Sequence, residues 1–271
     1  MQVDYISDLH LDFYIRMNSN EKKYREQTRN FCESLLPNEK GKVLVIAGDI
    51  SHYNRQSKYA LEFFSEQYDK VLFTLGNHDY YLISSEQEKR YNHNSMNREM
   101  ELVAETSFLH NVVFLRNFEV LEYEGVRFAG ATNWYPLEDV HEKSFFYNMS
   151  NDSRLIKDLD IAQLSSMTTY KYEQMEEVDV LVTHVPTIQI QSHVKYNSYY
   201  CYLNRLIPKA KHNIFGHCHE QSEYNKAEYK FYINALGYPE EYLRHINPLK
   251  YAKAEREEFR KQWMKIKSFE V

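Results

Sequence analysis

The sequence is poor in glycine and contains no long apolar run. Seven glycines stand among 271 residues, where an average composition of about 7% would give about nineteen. No apolar stretch approaches the ~20 residues that cross a lipid bilayer, and the N-terminus lacks the basic and then apolar pattern of a secretory signal. We therefore expect no membrane span and no export signal.

Cysteine is also scarce, and its spacing does not suggest a metal site. Cys32, Cys201 and Cys218 are odd in number and form no C-x-x-C pair, so we expect free thiols in a reducing, cytoplasmic compartment. The net charge of −6 gives no support to a dedicated nucleic-acid-binding protein, although a local basic patch would escape a global count.

Core-forming side chains, by contrast, are plentiful. Hydrophobic residues make up 43% of the chain and aromatic residues 15%, which is enough to bury a sizeable core. The length fits one large domain with elaborations, and no internal repeat or low-complexity linker divides it. We expect one large domain over residues 1–249, followed by a basic helix over 250–271 that packs on it.

Strands and helices alternate in the N-terminal half. The near-continuous apolar runs at 42–47 and 71–75 are typical of strands covered on both faces, and residues 20–36 show helical periodicity. Further strands are predicted within 112–132, at 179–183 and 213–215, and near 220–224 and 229–234. The predicted fold class is α/β, with two packed mixed β-sheets flanked by helices in a four-layer αββα sandwich. The polar, Tyr-rich segment 185–200 is predicted to be a substrate-side loop.

Polar residues with metal-binding potential follow four of these strands and a further short predicted strand at 3–6. They are Asp8 and His10, Asp49, Asn77 and His78, His184, and His217 and His219. Three of the seven glycines directly precede such a residue: Gly48, Gly76 and Gly216. Because the carboxyl ends of strands in an α/β sheet converge on one crevice, we expect a single site. Carboxylate, imidazole and amide groups suit first-row divalent metals.

The spacing within the D-x-H and H-x-H pairs supports a further prediction. In an extended segment, residues i and i+2 face the same way. Asp8 and His10 would then reach one site together while Leu9 points into the core. The same alternation turns Cys218 away from its two histidine neighbours, so we interpret Cys218 as a packing residue.

Taken together, the blocks D-x-H, G-D, G-N-H-D, a late H and G-H-x-H resemble the calcineurin-like metallophosphoesterase superfamily, in the family's order, from Ser7 to His219. Residues 130–134, 151–156 and 234–239 further resemble a bacterial and phage-type branch. Residues 48–52 lack the G-D-x-V-D-R-G pattern of serine/threonine protein phosphatases, which favours a small-molecule or nucleotide substrate over a phosphoprotein.

The resemblance implies a dinuclear metal-dependent phosphoesterase that hydrolyses a phosphate mono- or diester through a metal-bridged hydroxide. It implies two divalent ions, drawn from Mn, Fe, Ni, Co or Zn with Mn favoured. One ion would take Asp8, His10, Asp49 and His219, and the other would take Asp49, Asn77, His184 and His217. His78 would be the catalytic histidine, and we expect Asp79 to orient it.

Three further residues are candidate substrate contacts: Trp134, Asp152 and Arg154. The alternatives are core packing for Trp134 and a helix N-cap at Asn151 or Asp152 with a surface arginine beside it. The remaining histidines, including His52, are interpreted as structural or solvent-facing. The basic C-terminal helix could contact nucleic acid, but such a run is usually a solvated helix face.

Two other functions stay open at this point. One is a nuclease acting on nucleic-acid phosphodiesters, since the superfamily includes nucleases. The other is a non-catalytic metal-binding scaffold, which would be expected to lack the histidine matching His78 or several ligands. Every one of these residues is present, which favours an enzyme acting on a phosphate ester. The oligomeric state is left open.

Overall fold

The computed structural model describes residues 1–188, 207–245 and 251–271. The strands are β1 (Gln2–Ile6), β2 (Val43–Ala47), β3 (Lys70–Thr74), β4 (Val112–Phe114), β5 (Leu121–Tyr123), β6 (Val126–Ala131), β7 (Val178–Thr183), β8 (Ala210–Phe215), β9 (Gln221–Lys226), β10 (Tyr229–Asn234) and β11 (Lys267–Glu270). The helices are α1 (Leu11–Tyr14), α2 (Glu21–Leu35), α3 (Asn54–Ser65), α4 (Ser85–Arg90), α5 (Ser95–Thr106), α6 (Val140–Met149), α7 (Asp152–Leu155), α8 (Ile161–Gln174) and α9 (Lys253–Trp263), with 3₁₀ turns at Asn77–Tyr80 and Glu241–His245.

The strands form two mixed sheets. The first has the order β11-β1-β2-β3-β4, and the second has the order β5-β6-β7-β8-β10-β9. Strands β1 to β4 run parallel, with β11 antiparallel at the edge. In the second sheet β6, β7, β8 and β10 are parallel, while β5 and β9 are antiparallel edges. The predicted pair of mixed sheets is confirmed.

Side-chain alternation along the strands produces the four layers. In β2, Val43 and Val45 point toward the second sheet and share a buried cluster with Val180 of β7. The intervening Leu44 and Ile46 pack on the opposite face, in a cluster that contains residues of α2 and α3. A third cluster joins α8 to the outer face of the second sheet. Both faces of β2 and both faces of β7 are therefore covered. This explains the continuous apolar runs in the sequences of these two strands.

The end of the chain differs from the sequence prediction. Helix α9 spans Lys253–Trp263 and does not fill the predicted range 250–271, and the strand β11 was not predicted. Phe269 lies opposite Val3 in the register of β11 with β1, and its ring stacks on Tyr232 with centroids 4.3 Å apart. Burial of this aromatic side chain against the first strand explains why the last residues extend.

The described residues also bear on the cysteine and loop predictions. Cys32 is a buried free thiol, while Cys201 and the part of the predicted substrate-side loop from residue 189 onward lie outside the described residues. None of the helices in the described ranges combines the length and the apolar character needed to cross a lipid bilayer.

Candidate metal centre and catalytic cleft

The predicted site residues lie in loops at the carboxyl ends of parallel strands from both sheets. Backbone hydrogen bonds tie these loops together. The Asp8 amide donates to the Gly48 carbonyl at 3.0 Å, and the Gly216 amide donates to the His184 carbonyl at 3.0 Å. The Asp8 carboxylate accepts from the amide of His217 at 2.9 Å. The strand ends of the two sheets therefore meet in one place, as the sequence predicts.

One group of side chains collects around the end of β1. Asp8, His10, Asp49 and His219 each offer a ligand atom, and these atoms all lie within 4.8 Å of one another. The Nε2 atoms of His10 and His219 are 2.9 Å apart. His219 Nε2 lies 3.6 Å from Asp8 Oδ1. This is the first of the two ligand sets that the sequence resemblance implies.

A second group lies beside the first. The Oδ1 atom of Asn77 is 2.9 Å from His184 Nε2 and 3.1 Å from His217 Nδ1. His184 Nε2 is in turn 3.4 Å from Asp49 Oδ2. The structure therefore brings together Asp49, Asn77, His184 and His217, which form the second implied ligand set.

Asp49 stands between the two groups. Its Oδ2 atom is 3.7 Å from His10 Nε2 on one side and 3.4 Å from His184 Nε2 on the other. Its Oδ1 atom accepts a hydrogen bond from the backbone amide of His78 at 2.9 Å. That bond fixes the rotation of the carboxylate, so that one oxygen faces both groups.

The donor set fits divalent cations. Nitrogens and oxygens about 2.1 Å from a shared cation lie about 3.0 Å apart at right angles and about 3.4 Å apart in a tetrahedron. Six spacings within the two groups fall close to these values, between 2.9 and 3.7 Å. Carboxylate oxygens, imidazole nitrogens and one amide oxygen are ligands that Mn, Fe, Co, Ni and Zn accept.

The backbone at these residues is unusual. Asp8, His10, Asp49, His217 and His219 all have positive φ, between 41° and 69°, a conformation that costs of order 1–3 kcal/mol for a residue other than glycine. The D-x-H and H-x-H segments are therefore left-handed at their ligands and not extended. The side chains of each pair do converge, but through this curled backbone and not through the strand alternation that the sequence suggested.

Because the backbone is left-handed and not extended, Cys218 lies in a different environment from the predicted one. The prediction that Cys218 packs behind the ligand loop is wrong, because this residue is partly exposed and lines the cleft in front of the metal-binding groups. Leu9, its counterpart in the other pair, is fully buried as expected.

Glycine is required where the loops pass the ligands most closely. Gly48 has φ +85°, and a Cβ atom there would lie 2.5 Å from His184 Nδ1. A Cβ atom on Gly76 would lie 2.1 Å from Asp49 Oδ1. Both contacts are impossible for real atoms, so the ligand side chains can approach only because these positions have no side chain.

Burial is the largest influence on the pKa of Asp8, His10 and His78. It raises the pKa of Asp8, and it lowers the pKa of His10 well below its usual range. It also lowers the pKa of His78 to about 4, although the Asp49 carboxylate opposes this shift. His10 and His78 are therefore neutral near pH 7, which is the form in which an imidazole nitrogen can ligate a metal or accept a proton.

The sequence profile of the family described as calcineurin-like phosphoesterase matches residues 1–221. The chain belongs to the calcineurin-like phosphoesterase family. It is a hydrolase acting on phosphoric ester bonds.

The phosphoesterase is similar in sequence to a viral protein and in structure to a bacterial hydrolase. An uncharacterized protein of Acanthamoeba polyphaga mimivirus is 26% identical over 279 residues, covering 91% of this chain and 94% of the viral protein. The crystal structure of phosphopantetheinyl hydrolase from Mycobacterium tuberculosis has a TM-score of 0.64 at 18% identity, covering 91% of this chain and 93% of that chain. At this identity the structural likeness supports the shared fold.

His52 is a residue of the phosphoesterase site that sequence reasoning missed. Its Nε2 atom lies 2.9 Å from Nδ1 of His78, and its Nδ1 atom lies 2.8 Å from Oδ2 of Asp12. The Tyr81 ring stacks on His52 and also contacts His78, with centroids 5.6 and 4.3 Å apart. The only available signal was the position of His52 three residues after Asp49, on the same loop.

Asp79 has a different partner set from the expected one. Its carboxylate accepts hydrogen bonds from the backbone amides of Asp49, Ile50, Ser51 and Gly76 at 2.8 to 3.4 Å. No hydrogen bond to the His78 ring is found among the described residues. Burial and the neighbouring Asp49 carboxylate raise the pKa of Asp79 to about 6, while Arg98 lowers it. Asp79 thus joins the loop after β2 to the loop after β3. The residue that contacts the His78 ring is His52, and not Asp79 as predicted.

Arg98 of α5 strengthens the same junction. This fully buried guanidinium donates to the carbonyl oxygens of His78 and Tyr81 at 2.9 and 2.8 Å and also to that of Ser51. It therefore holds the backbones of the His52 and His78 loops at a fixed separation.

Glu241, which the sequence analysis also missed, supports the candidate ligand His219 from outside both ligand groups. Glu241 accepts a hydrogen bond from Nδ1 of His219 at 2.6 Å and from the Tyr238 amide at 2.9 Å. A carboxylate that binds the far nitrogen of a ligating histidine fixes its ring orientation and tautomer. Glu241 lies 22 positions after His219 and just beyond the block at 234–239, so no motif contained it.

The three predicted substrate contacts lie in different environments. Trp134 is buried and packs edge-on against Tyr80, which corresponds to the core-packing alternative. Asp152 is fully buried behind Asn77. Arg154 is exposed and donates to Asn151 Oδ1 at 2.5 Å. Of the three, only Arg154 has an exposed side chain, and it lies next to a residue that lines the cleft.

The cleft over the metal-binding groups has a volume of about 350 Å³. Its lining includes His78, His217 and His219 from the metal-binding loops, Phe145 and Met149 of α6, and Tyr238 and Glu241. Small-molecule sites usually have about 300–1,000 Å³, so the cleft suits a ligand of modest size.

Proposed function

We propose that the protein is a dinuclear metal-dependent phosphoesterase. The observation that carries this proposal is the position of Asp49 Oδ2, within 3.7 Å of His10 Nε2 and within 3.4 Å of His184 Nε2. One ion would be held by Asp8, His10, Asp49 and His219, and the other by Asp49, Asn77, His184 and His217. Bound divalent ions supply Lewis-acid activation of water and neutralisation of phosphate charge, and Mn²⁺ is the favoured metal.

His78 would move the proton. When both imidazoles are neutral, the Asp12 carboxylate accepts from His52 Nδ1–H, and the Nε2 atom of His52 accepts from Nδ1–H of His78. Nε2 of His78 then carries a lone pair, so it takes up a proton first and can give that proton to the leaving-group oxygen afterwards. His78 lines the cleft and can therefore reach the leaving-group oxygen or a phosphoryl oxygen.

A small-molecule or nucleotide ester is the proposed substrate. The modest volume of the cleft and the apolar side chains of Phe145, Met149 and Tyr238 support a compact, partly apolar leaving group. The solved structure that shares the fold is named a phosphopantetheinyl hydrolase, which is consistent with a phosphate-ester substrate. Whether a monoester or a diester is preferred is decided by the experiment below.

We further propose that residues 1–249 form the catalytic domain and that residues 250–271 pack on it in a cytoplasmic protein. The pairing of β11 with β1 supports this packing, and the buried Cys32 thiol is consistent with a reducing compartment. Spectroscopy of a chain shortened after residue 249 tests the division, since loss of β11 should expose the edge of β1.

Elemental analysis and hydrolysis assays together test the proposed function. The protein is loaded with Mn²⁺, its metal content is measured, and p-nitrophenyl phosphate is compared with bis-p-nitrophenyl phosphate. Two metal equivalents and hydrolysis of either ester are expected. One equivalent would contradict the dinuclear centre, and two equivalents without activity on a broad ester panel would indicate a scaffold.

A further inference from the structure

A buried carboxylate lies directly behind the second ligand group without belonging to it. Asp152 has no exposed surface, and its Oδ1 atom accepts a hydrogen bond from Nδ2 of Asn77 at 2.8 Å. The same oxygen accepts from the Tyr81 hydroxyl, and Oδ2 accepts from the Tyr135 hydroxyl. All three donors are neutral groups.

Burying a carboxylate among neutral donors is energetically expensive. Two tyrosine hydroxyls and one amide could be satisfied by a neutral acceptor at lower cost. The distinguishing property of a carboxylate is that both of its oxygens only accept hydrogen bonds. Any donor group facing it is therefore held in one orientation.

That property matters for Asn77 because the two ends of a carboxamide are nearly identical in shape. A flip about the last side-chain bond would exchange the oxygen with the NH₂ group at almost no steric cost. In the structure the NH₂ group faces Asp152, and Oδ1 faces His184 and His217. Only the oxygen has a lone pair to offer a cation.

We propose that Asp152 is a positioning residue that fixes the Asn77 amide with its oxygen toward the second metal. The inference rests on the proposed dinuclear centre, because it assigns Asp152 a role toward one of its two ions. Asp152 also sets the Tyr81 ring, which contacts His78 with centroids 4.3 Å apart. One buried carboxylate thus connects a ligand of the centre with the wall beside the catalytic histidine.

Metal titration of four variants separates positioning from packing. Asp152→Ala and Asp152→Leu both remove the acceptor, and the second of them also fills the space. Asp152→Asn keeps an oxygen that can accept from Asn77. Tyr135→Phe is the matched control, because it removes a hydrogen bond to the same carboxylate on the side away from Asn77.

Isothermal titration with Mn²⁺ should show two binding events in the wild type. Asp152→Ala and Asp152→Leu should weaken one of them by about 10–100-fold, the usual effect of losing an outer partner of a ligand, and leave the other unchanged. Tyr135→Phe should retain both affinities, and Asp152→Asn, which keeps one accepting oxygen but can itself flip, should lose less than the two acceptor-free variants. Unchanged affinities in folded Asp152→Ala or Asp152→Leu, or equal losses in Tyr135→Phe, would overturn the proposal.

A second measurement covers the case in which both acceptor-free variants fail to fold. In metal-free protein labelled with ¹⁵N-asparagine, the side-chain NH₂ signal of Asn77 is assigned from the Asn77→Ala variant. A slowly exchanging, hydrogen-bonded proton in the wild type and in Tyr135→Phe supports the proposal, and a freely exchanging one overturns it. A single Mn²⁺ equivalent in the wild type would instead refute the dinuclear centre, which this signal does not depend on.

Discussion

The Nε2 atom of His52 lies 2.9 Å from Nδ1 of His78, and the opposite nitrogen of His52 lies 2.8 Å from the carboxylate of Asp12. This chain of contacts connects the cleft to the first turn after β1. It holds the His78 ring by its far nitrogen, so that the near nitrogen is left for chemistry. The proposed catalytic histidine therefore has a defined orientation before any substrate arrives.

Loss of His52 should lower turnover without releasing metal. His52→Ala removes the partner of His78 Nδ1, and the loss in kcat should not exceed the about 10²–10⁴-fold that a positioned proton-transfer group supplies. Because the two histidines act as one unit, the double variant with His78→Ala should be no slower than His78→Ala alone. Steady-state kinetics and metal analysis measure both effects. The exposed His93 provides the control substitution, and additive losses would argue against the chain.

Replacement of His78 separates chemistry from metal binding. His78→Ala should keep both metals and the fold while losing about 10²–10⁴-fold in turnover. If His78 protonates the leaving group, the loss should be smaller for nitrophenolate, which leaves without a proton, than for an alkyl alcohol. If it stabilises phosphoryl oxygens, all esters should lose similar factors. A variant that drops a metal equivalent would show that His78 holds a ligand in place.

Asp49 should be the one ligand whose loss affects both ions. Asp49→Asn removes the charged oxygen that faces both groups, so both Mn²⁺ affinities should fall. Asp8→Asn is the matched control, since Asp8 belongs to the first group alone and should weaken a single binding event. Titration calorimetry distinguishes the two patterns. Equal single-site effects would contradict the shared position of Asp49.

Gly76 should tolerate no side chain. Gly76→Ala would place a Cβ atom 2.1 Å from Asp49 Oδ1, so we expect loss of Mn²⁺ binding at both groups and a lower melting temperature. Gly125 is the control, because it also has no side chain but meets nothing within 4 Å, although its φ of +79° predicts a small loss of stability on substitution to alanine. Intact metal binding in Gly76→Ala would show that the loop can move away from Asp49.

Cys218 should be dispensable for metal binding and accessible from the cleft. Cys218→Ser should retain both metals, because its sulfur is not needed in either ligand group. Treatment of the wild type with N-ethylmaleimide should slow hydrolysis, since the residue lines the cleft, and inorganic phosphate should protect it. The Cys218→Ser variant controls for reaction at other thiols. Inhibition that persists in this variant would place the sensitive thiol elsewhere.

The sequence by itself determined the parts of the protein that follow from local pattern. The apolar runs around Val45 and Leu72 predicted buried strands, because only a doubly covered strand is apolar on both faces. Polar residues directly after such strands had to meet at one edge. The grouping of Asp8, Asp49, Asn77 and His184 was therefore foreseeable, as was the need for glycine beside them.

Tertiary structure alone decided which side chains surround those residues. His52, Glu241 and Asp152 contact site residues that are 22 to 75 positions away in the chain, and such contacts depend on how whole elements pack. The left-handed backbone at Asp8 and His217 reversed the local geometry that alternation predicts, which brought Cys218 into the cleft. Pairing of β11 with β1 likewise joins the two ends of the chain. Local sequence encodes the periodicity of an element, whereas the partner of a buried polar group is set only when distant elements close around it.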